Sequence, residues 1–573
     1  MTSRDKYMFW LNNTYFDTET RKQLADIKYN AAEIEDRFGK ELEFGTGGLR
    51  GIVGAGTNRM NVYIVRKVSQ GLANHIAKKN AVCSGVVVGY DSRRQSELFA
   101  REAAGVFAGN GIPVYLFSEP RPTPMLSFAI RHLNAAAGVM ITASHNPKEY
   151  NGYKVYSEDG AQLSDASAIS GEIAGINDIT RIPTVDSGAA VNTGLIRMLG
   201  KEMDDAYIYY VKSLMVCGDN VIKYADRIRI VYTPLHGTGG KMVTRMFSET
   251  GFNDYHVAEE QYLPDGGFPT LDTTLNPEDK EVYKRALMLA KEKNADLILA
   301  TDPDCDRVGV MVKREKNRYV LLSGNEVGAL MLNYILSTKH HEATDNGFIA
   351  KTIVTTRLAD MIARHFGIDV EEVLTGFKYI GALIRTLHDT GKKNFIFGME
   401  DSCGYLIGTD VRDKDGVIGC MLITQAAAWY KSKGLSLYEG LKQLYRQYGW
   451  FSGELVTYPV RTDQQLALLK QALFCDTEGA MFKELGITAV RNYSLKLRRD
   501  AISGVCTELK LPKTEAVYYE LPDGWFCIRP SGTESKIKIY FEAYGDSQKS
   551  VKKVLLKIKR CVLRKITKHI KLS

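Results

Sequence analysis

"ADLILATDPDCDR" (residues 295–307) is a short aliphatic run that stops abruptly at a loop of alternating acids. Its length and its polar boundaries are those of a buried strand. The same pattern recurs in "SGVVVGYDSRR" (84–94), "RIRIVYTPLHGTGG" (227–240) and "KNFIFGMEDSCGY" (393–405), each followed by helical spacing. Short strands alternating with helices predict parallel α/β units, whose ligands collect where the strands end. The last hundred residues read differently. "VYYELPDGWFCIRPSGTESKIKIYFEAYG" predicts two alternating strands around a turn, a terminal helix follows, and the whole reads as a smaller α+β domain. At 573 residues the chain suits about four domains of roughly 150 residues. The boundaries are placed near 205, 315 and 450, giving 1–205, 206–315, 316–450 and 451–573. Self-similarity between the units is too weak to define a repeat.

Composition narrows the class. Hydrophobic residues at 45% and charged residues at 25% are those of a globular chain and exclude disorder or a fibre. No apolar stretch approaches the roughly 18 residues that span a bilayer. "MTSRDKYMFW" lacks the apolar centre of a signal peptide, and nine scattered Cys without a CxxC pair suit reduced thiols, so a cytoplasmic location is expected. The net charge of +8 draws heavily on the tail, residues 549–573. There Val551, Val554, Leu555, Ile558, Val562, Ile566 and Ile570 recur at helical spacing, which predicts an amphipathic helix with a solvated basic face rather than a nucleic-acid or membrane surface. A mildly positive chain also suits a small anionic substrate.

The acidic loop carries the strongest chemistry. Asp302, Asp304 and Asp306 occupy alternate positions, and Pro303 biases Asp302 toward an extended backbone that would turn every second side chain to one side. Three neighbouring carboxylates raise one another's pKa unless a cation neutralises them, and oxygen-only ligands select a hard ion such as Mg²⁺. An EF-hand is excluded, because Arg307 and Lys313 stand where its Gly and Glu belong. "RPSGTESK" (529–536) offers Arg529, three hydroxyls and the N–H groups around Gly532, a donor set for a phosphate dianion. Glu400 and Ser402 in "GMEDSCGY" (398–405) can hold vicinal sugar hydroxyls, or alternatively Asp401 or Ser402 caps a helix. "EFGTGGLRG" (43–51) and "LTGFKYIG" (374–381) set Arg50 and Lys378 among glycines. "GTGGKM" (237–242) is not a P-loop, because Met242 stands where Ser or Thr is required. In "ITASHNPKEY" (141–150) Ser144 follows an apolar run and precedes His145, and by itself reads equally as a turn residue or a nucleophile.

Taken together and in this order, "TASHNP", "DPDCDR", "GMEDSCG" and "RPSGTESK" resemble the phosphoserine, metal, sugar and phosphate loops of the α-D-phosphohexomutases, the phosphoglucomutase and phosphomannomutase family, over essentially the whole chain. "GFKYIG" and the length resemble the branch of long bacterial phosphoglucomutases and phosphopentomutase-like enzymes. The resemblance implies four domains around a central cleft: three α/β domains with mixed sheets and a smaller C-terminal α+β domain. It implies a cytoplasmic monomer or weak dimer that acts on small sugar phosphates and binds neither nucleic acid nor membrane. The implied reaction interconverts glucose 1-phosphate and glucose 6-phosphate, with mannose phosphates as further substrates. It runs through phospho-Ser144 and glucose 1,6-bisphosphate, which serves as intermediate and activator. Ser144, Asp302, Asp304 and Asp306 would hold Mg²⁺. Lys378 is the implied general acid/base, with Arg50 and His145 near the transferred group. Lys154, Arg307, Glu400, Ser402, Arg529, Ser531, Gly532 and Thr533 would bind substrate. Met399 and Asp401 depart from the family's GEES, and Cys305 replaces its usual Ala, an inert buried thiol. The departures leave the hexose specificity open, and the branch that shares "GFKYIG" offers a pentose-phosphate mutase or sugar-bisphosphate synthase as the rival. A metal-dependent sugar phosphatase is disfavoured by the Arg529 loop.

Overall fold

The computed structural model describes residues 1–43, 48–165, 167–216, 219–343, 346–460, 462–530 and 536–572. They form two compact units, residues 1–350 with 376–438, and residues 351–375 with 439–573.

Within the first unit the chain runs through the same β-α-β-α-β sequence repeatedly. The first pass is Val86–Tyr90, Ser96–Gly109, Val114–Phe117, Thr123–His132 and Ala137–Ile141. The second is Ile230–Thr233, Gly239–Glu249, Tyr255–Val257, Lys284–Lys293 and Leu297–Thr301. The strands of each pass are parallel, with the last strand lying beside the first. In both passes a loop then reverses the chain into an antiparallel strand, Tyr150–Ser157 in one and Val308–Glu315 in the other. Asn394–Glu400 and Gly404–Leu406 repeat that reversal in a third sheet, where they follow Gly347–Thr352 in strand order. Runs such as "VVVGY" and "LILAT" are buried at every position, as strands covered by helices on both faces must be. The loops after Ala137–Ile141, Leu297–Thr301 and Asn394–Glu400 are thus three copies of one topological feature, a repeat that side-chain divergence conceals; the runs 295–307 and 393–405 lead into antiparallel strands, not the helices expected. No helix among the described residues is long and apolar enough to cross a membrane.

The second unit holds a seven-stranded antiparallel sheet in the order Trp450–Pro459, Lys536–Gly545, Gly524–Pro530, Val517–Leu521, Ala489–Asn492, Leu497–Asp500, Cys506–Glu508. The stretch expected to hold two strands contains three, because "LPDG" makes a tight reversal between Val517–Leu521 and Gly524–Pro530 inside what reads as one alternating run. The terminal helix Gln548–Leu572 lays Val551, Leu555, Ile558, Val562 and Ile566 against a core that contains Phe526, Ile528, Ile539 and Phe541. Its apolar stripe is therefore occupied, as the helical spacing predicts.

Helix Gly239–Glu249 begins at a glycine for a steric reason. A Cβ at Gly239 would fall 2.6 Å from Thr301 Oγ1 and 2.8 Å from Cys305 Sγ, and against the Tyr232 hydroxyl, which is hydrogen-bonded to Thr301 at 2.8 Å. Gly239→Ala sets about 1 kcal/mol of helix propensity against an overpacking cost of about 1–3 kcal/mol and a strained buried hydrogen bond of about 1 kcal/mol. Destabilisation wins. A thermal melt of the variant is expected to show its first transition several degrees below wild type.

Candidate active site

The acids of "TDPDCDR" converge, though not through an extended backbone. Cys305 N donates to Asp302 O at 2.9 Å, closing a turn, and Cys305 takes a left-handed φ of 50°. Asp302 Oδ1 then accepts from the N–H groups of Asp306 and Arg307 at 3.1 and 3.0 Å. Hydrogen bonding inside the loop thus turns the chain after Pro303 and curls the three acids around one point. Their carboxylate oxygens lie within 4.8 Å of one another, and all three residues are buried.

Ser144 reaches this cluster from the end of strand Ala137–Ile141. It is buried, its φ is 52°, and its Oγ donates to Asp302 Oδ2 at 2.9 Å. His145 Nδ1 is 3.4 Å from the same Oγ, so the neighbouring histidine is a looser partner than the aspartate 158 positions along the chain.

Cations surround the acids. Lys154 sits opposite Met140 on strand Tyr150–Ser157 and places Nζ 2.8 Å from Asp304 Oδ2 and 3.5 Å from Asp306 Oδ2. Lys414 Nζ lies 2.9 Å from Asp306 Oδ2. Arg307 Nε lies 3.7 Å from Asp306 Oδ1 and 4.0 Å from Asp302 Oδ2. Arg50 donates to Asn146 Oδ1 at 2.8 Å, and its charge is felt by Asp304 and Asp306. Thr123 donates to Asp304 through both its hydroxyl (2.9 Å, to Oδ2) and its N–H (2.8 Å, to the carbonyl), at the positive end of helix Thr123–His132.

The electrostatics follow from burial. Burial pushes the Asp302 carboxyl well above the ordinary range, and Asp306 and Asp304 push it further. Burial acts the same way on Asp304, but the charge and hydrogen bond of Lys154, with Lys414 and Thr123, hold it below that range. Burial lowers the Arg307 and Lys414 values, and the surrounding carboxylates, Asp306 foremost, more than reverse that. Burial also pushes the Cys305 thiol up, in keeping with an inert role.

Asp304 Oδ1 and Asp306 Oδ1 are buried and accept no hydrogen bond among the described residues. Unpaired carboxylate oxygens in an all-oxygen cluster are the donor set of a hard divalent cation, so these residues fit Mg²⁺.

Glu400 ends strand Asn394–Glu400 in a buried position and accepts from Ser402 Oγ at 2.9 Å. Its charge acts on Arg307 and Lys414, which brings the expected sugar loop to the acidic cluster. The residues after it form strand Gly404–Leu406, so neither Asp401 nor Ser402 caps a helix. Lys378 is buried at the start of helix Phe377–Leu387 and donates to Ser164 O at 3.2 Å. Arg529 is half-buried on strand Gly524–Pro530 of the second unit, and Ser531, Gly532 and Thr533 lie outside the described residues.

Comparison with known proteins shows the family. Sequence models of phosphoglucomutase/phosphomannomutase α/β/α domains I, II and III match residues 41–178, 205–316 and 323–448, and that of the C-terminal domain matches 493–559. A phosphoglucomutase of Staphylococcus epidermidis is 36% identical over 536 residues, 92% of this chain and 96% of the relative. The chain belongs to the phosphoglucomutase/phosphomannomutase family. It is an enzyme of the phosphohexomutase class. In fold it is similar to parafusin of Paramecium, a phosphoglucomutase in its open form (TM-score 0.67, 20% identity, 92% of this chain and 96% of that one). It is likewise similar to a phosphoglucomutase/phosphomannomutase family protein of Burkholderia thailandensis (TM-score 0.63, 18% identity, 91% and 97%).

Sequence reasoning missed Lys414 and Arg93. Lys414 is flanked by Asp413 and Asp415 just before an apolar helical run, a pattern that marks a helix start and conceals the lysine's distant partner. Arg93 lies in a strand-end loop that the sequence marks, among other polar residues that look alike.

Asp415 ties the cluster to helix Gly416–Ser432. It accepts from the N–H groups of Val417 and Ile418 and from the Tyr207 hydroxyl, while Gly416 N donates to Cys305 O. Burial pushes its carboxyl up to about 7, against about 3.9 in an unfolded chain. The native state therefore holds this proton more tightly, and Asp415 subtracts progressively more stability as pH rises through that window. The thermal midpoint of Asp415→Asn is expected to fall less between pH 5 and pH 8 than that of wild type, as read by parallel melts at each pH.

Proposed function

We propose that this chain interconverts glucose 1-phosphate and glucose 6-phosphate through phospho-Ser144 and glucose 1,6-bisphosphate, with mannose phosphates as further substrates. One observation carries the reading: Ser144 Oγ, 2.9 Å from Asp302, faces three buried carboxylates ringed by cations. The identity with a phosphoglucomutase favours glucose.

Asp302, Asp304 and Asp306, together with the phosphoryl group on Ser144, would hold Mg²⁺, which when bound neutralises charge on the phosphoryl oxygens. The chain's own residues do the rest. In the first half-reaction the Oγ–P bond of phospho-Ser144 breaks as a sugar hydroxyl oxygen bonds to phosphorus. The hydroxyl proton passes to Lys378, and Ser144 Oγ departs as an oxyanion, held by the surrounding cations until it is phosphorylated again. After the bisphosphate turns over, the other phosphoryl group returns to Ser144 Oγ, and Lys378 gives its proton to the departing sugar oxygen. Phosphoryl transfer passes through a loose transition state, so fixed positive charge counts for more than nucleophile strength. Arg50, His145 and Lys154 contact the transferring group, and Arg307 and Lys414 balance the acids beside it. Glu400 and Ser402 hold sugar hydroxyls. Arg529, with Ser531, Gly532 and Thr533, grips the phosphate that is not reacting, which lets one site serve both ends of the bisphosphate.

A coupled assay on glucose 1-phosphate with Mg²⁺ and catalytic glucose 1,6-bisphosphate tests this. Ser144→Ala is expected to lose about 10³-fold or more in kcat; equal activity in the two proteins removes the phosphoserine. Chelation with EDTA is expected to abolish turnover and added Mg²⁺ to restore it. Faster turnover of ribose 1-phosphate than of either hexose phosphate would assign the enzyme to pentose phosphates.

A further inference from the structure

We propose that Arg93 is a positioning residue that sets the conformation of the Ser144 turn, an inference that rests on the reading of Ser144 as the phosphoryl carrier. Four backbone carbonyls converge on its guanidinium. Nη1 donates to Pro147 O at 2.8 Å and Tyr150 O at 2.9 Å, and Nη2 donates to Ser144 O at 2.6 Å and to Asn146 O. The side chain is fully buried, and Nε lies 3.4 Å from Asp91 Oδ2.

Asp91 closes the circuit. It accepts from Thr142 Oγ1 at 2.6 Å, from Ser96 Oγ at 2.7 Å and from Arg93 N at 3.0 Å, while Thr142 Oγ1 accepts from Ser144 N at 2.8 Å. Both peptide groups of Ser144 are therefore pinned to the Asp91–Arg93 pair, the N–H through Thr142 and the carbonyl through Arg93. Ser144 is a non-glycine residue at φ 52°, a conformation that costs on the order of 1–3 kcal/mol unless its surroundings impose it. Charge-assisted hydrogen bonds to its own loop supply that imposition. With the carbonyls turned inward to Arg93, Oγ is left aimed at Asp302.

A second segment seals the guanidinium. The Phe268 ring lies 5.6 Å from it, and the backbone at Gly266 is pressed so closely on residues 92–94 that a Cβ would fall 2.7 Å from Ser92 O. Arg93 is thus clamped between the loop it organises and a loop following strand Tyr255–Val257, and only a planar fork reaches four acceptors from that slot.

Arg93→Lys keeps the charge and removes the fork; Arg94→Lys, at the exposed neighbour, is the control. For Arg93→Lys, kcat on glucose 1-phosphate is expected to fall by about 10- to 100-fold with KM within about twofold, since a displaced nucleophile slows transfer without touching sugar contacts. Amide hydrogen exchange is expected to speed up in residues 141–151 and to stay unchanged in strands Val86–Tyr90 and Leu297–Thr301. Arg94→Lys should match wild type on both counts. The proposal is overturned if Arg93→Lys keeps kcat within threefold, if exchange rises throughout the chain, or if the variant fails to fold, each of which makes Arg93 a general support of the core. Should wild type prove inactive on every sugar phosphate, the reading of function falls, and the exchange pattern still decides what Arg93 does.

Discussion

Three carboxylates sharing one dry turn is the constraint around which the first unit is organised. Charges at this separation in a medium of low dielectric repel strongly, and each also loses its hydration. The fold answers with Lys154 and Lys414 in direct contact, Arg307 alongside, Arg50 at longer range and the N-terminus of helix Thr123–His132 on Asp304. These groups come from sequence positions 50 to 414, so the cluster cannot be neutralised until most of the first unit has assembled. Site and fold therefore depend on one another. Hydrogen bonding is nonetheless incomplete: among the described residues Asp304 and Asp306 each keep one buried oxygen without a hydrogen bond, an arrangement that suits a divalent cation.

The cations are not interchangeable. Lys154 and Lys414 make close contacts of 2.8 Å with Asp304 and 2.9 Å with Asp306, whereas Arg307 stands 3.7 Å from Asp306 and 4.0 Å from Asp302. An ammonium that already neutralises a carboxylate contributes mainly to holding the cluster together. A guanidinium that hangs back, its Nε making no hydrogen bond among the described residues, retains donors for an anion entering beside it. Glu400, whose field reaches both Arg307 and Lys414, sets the opposite sign at the edge of this group and supplies acceptors for hydroxyls. The positions proposed for phosphate and for sugar thus adjoin, with opposite charges attracting across the cluster.

What was legible in the sequence was local. A strand ending in "DPDCDR" announces acids at a carboxyl edge, and that loop stands there, whereas "TASHNP" alone left Ser144 open between a turn residue and a nucleophile. The helical stripe from Val551 to Ile566 was legible for the same reason, since periodicity is a short-range property. The acids do not converge by strand-like alternation, because a turn closed from Cys305 N to Asp302 O and carboxylate-to-backbone hydrogen bonds four and five residues on curl the loop. Lys414 and Arg93 were not legible. Their partners lie 108 residues before one (Asp306) and 51 residues after the other (Ser144), and nothing in a lysine or arginine itself declares whether it is solvated or buried. One strand of the seven-stranded sheet was missed because "LPDG" is too short a break to divide an alternating run by pattern alone.

The three strand-end loops show how one topology came to hold three chemistries. Each reverses the chain between a buried strand and an antiparallel neighbour, and each places a non-glycine residue in the left-handed region: Ser144 at 52°, Cys305 at 50° and Cys403 at 61°. Glycine would adopt that conformation without strain, yet would leave the turn soft. A residue with a side chain persists there only where surrounding hydrogen bonds over-determine the backbone, as the Asp91–Thr142–Arg93 circuit does for Ser144 and the Asp302 carboxylate does around Cys305. The strain is therefore a measure of how tightly each loop is held. A hydroxyl, a set of carboxylates and a Glu–Ser pair can each be presented at fixed positions because the turn beneath them has no softer conformation to relax into.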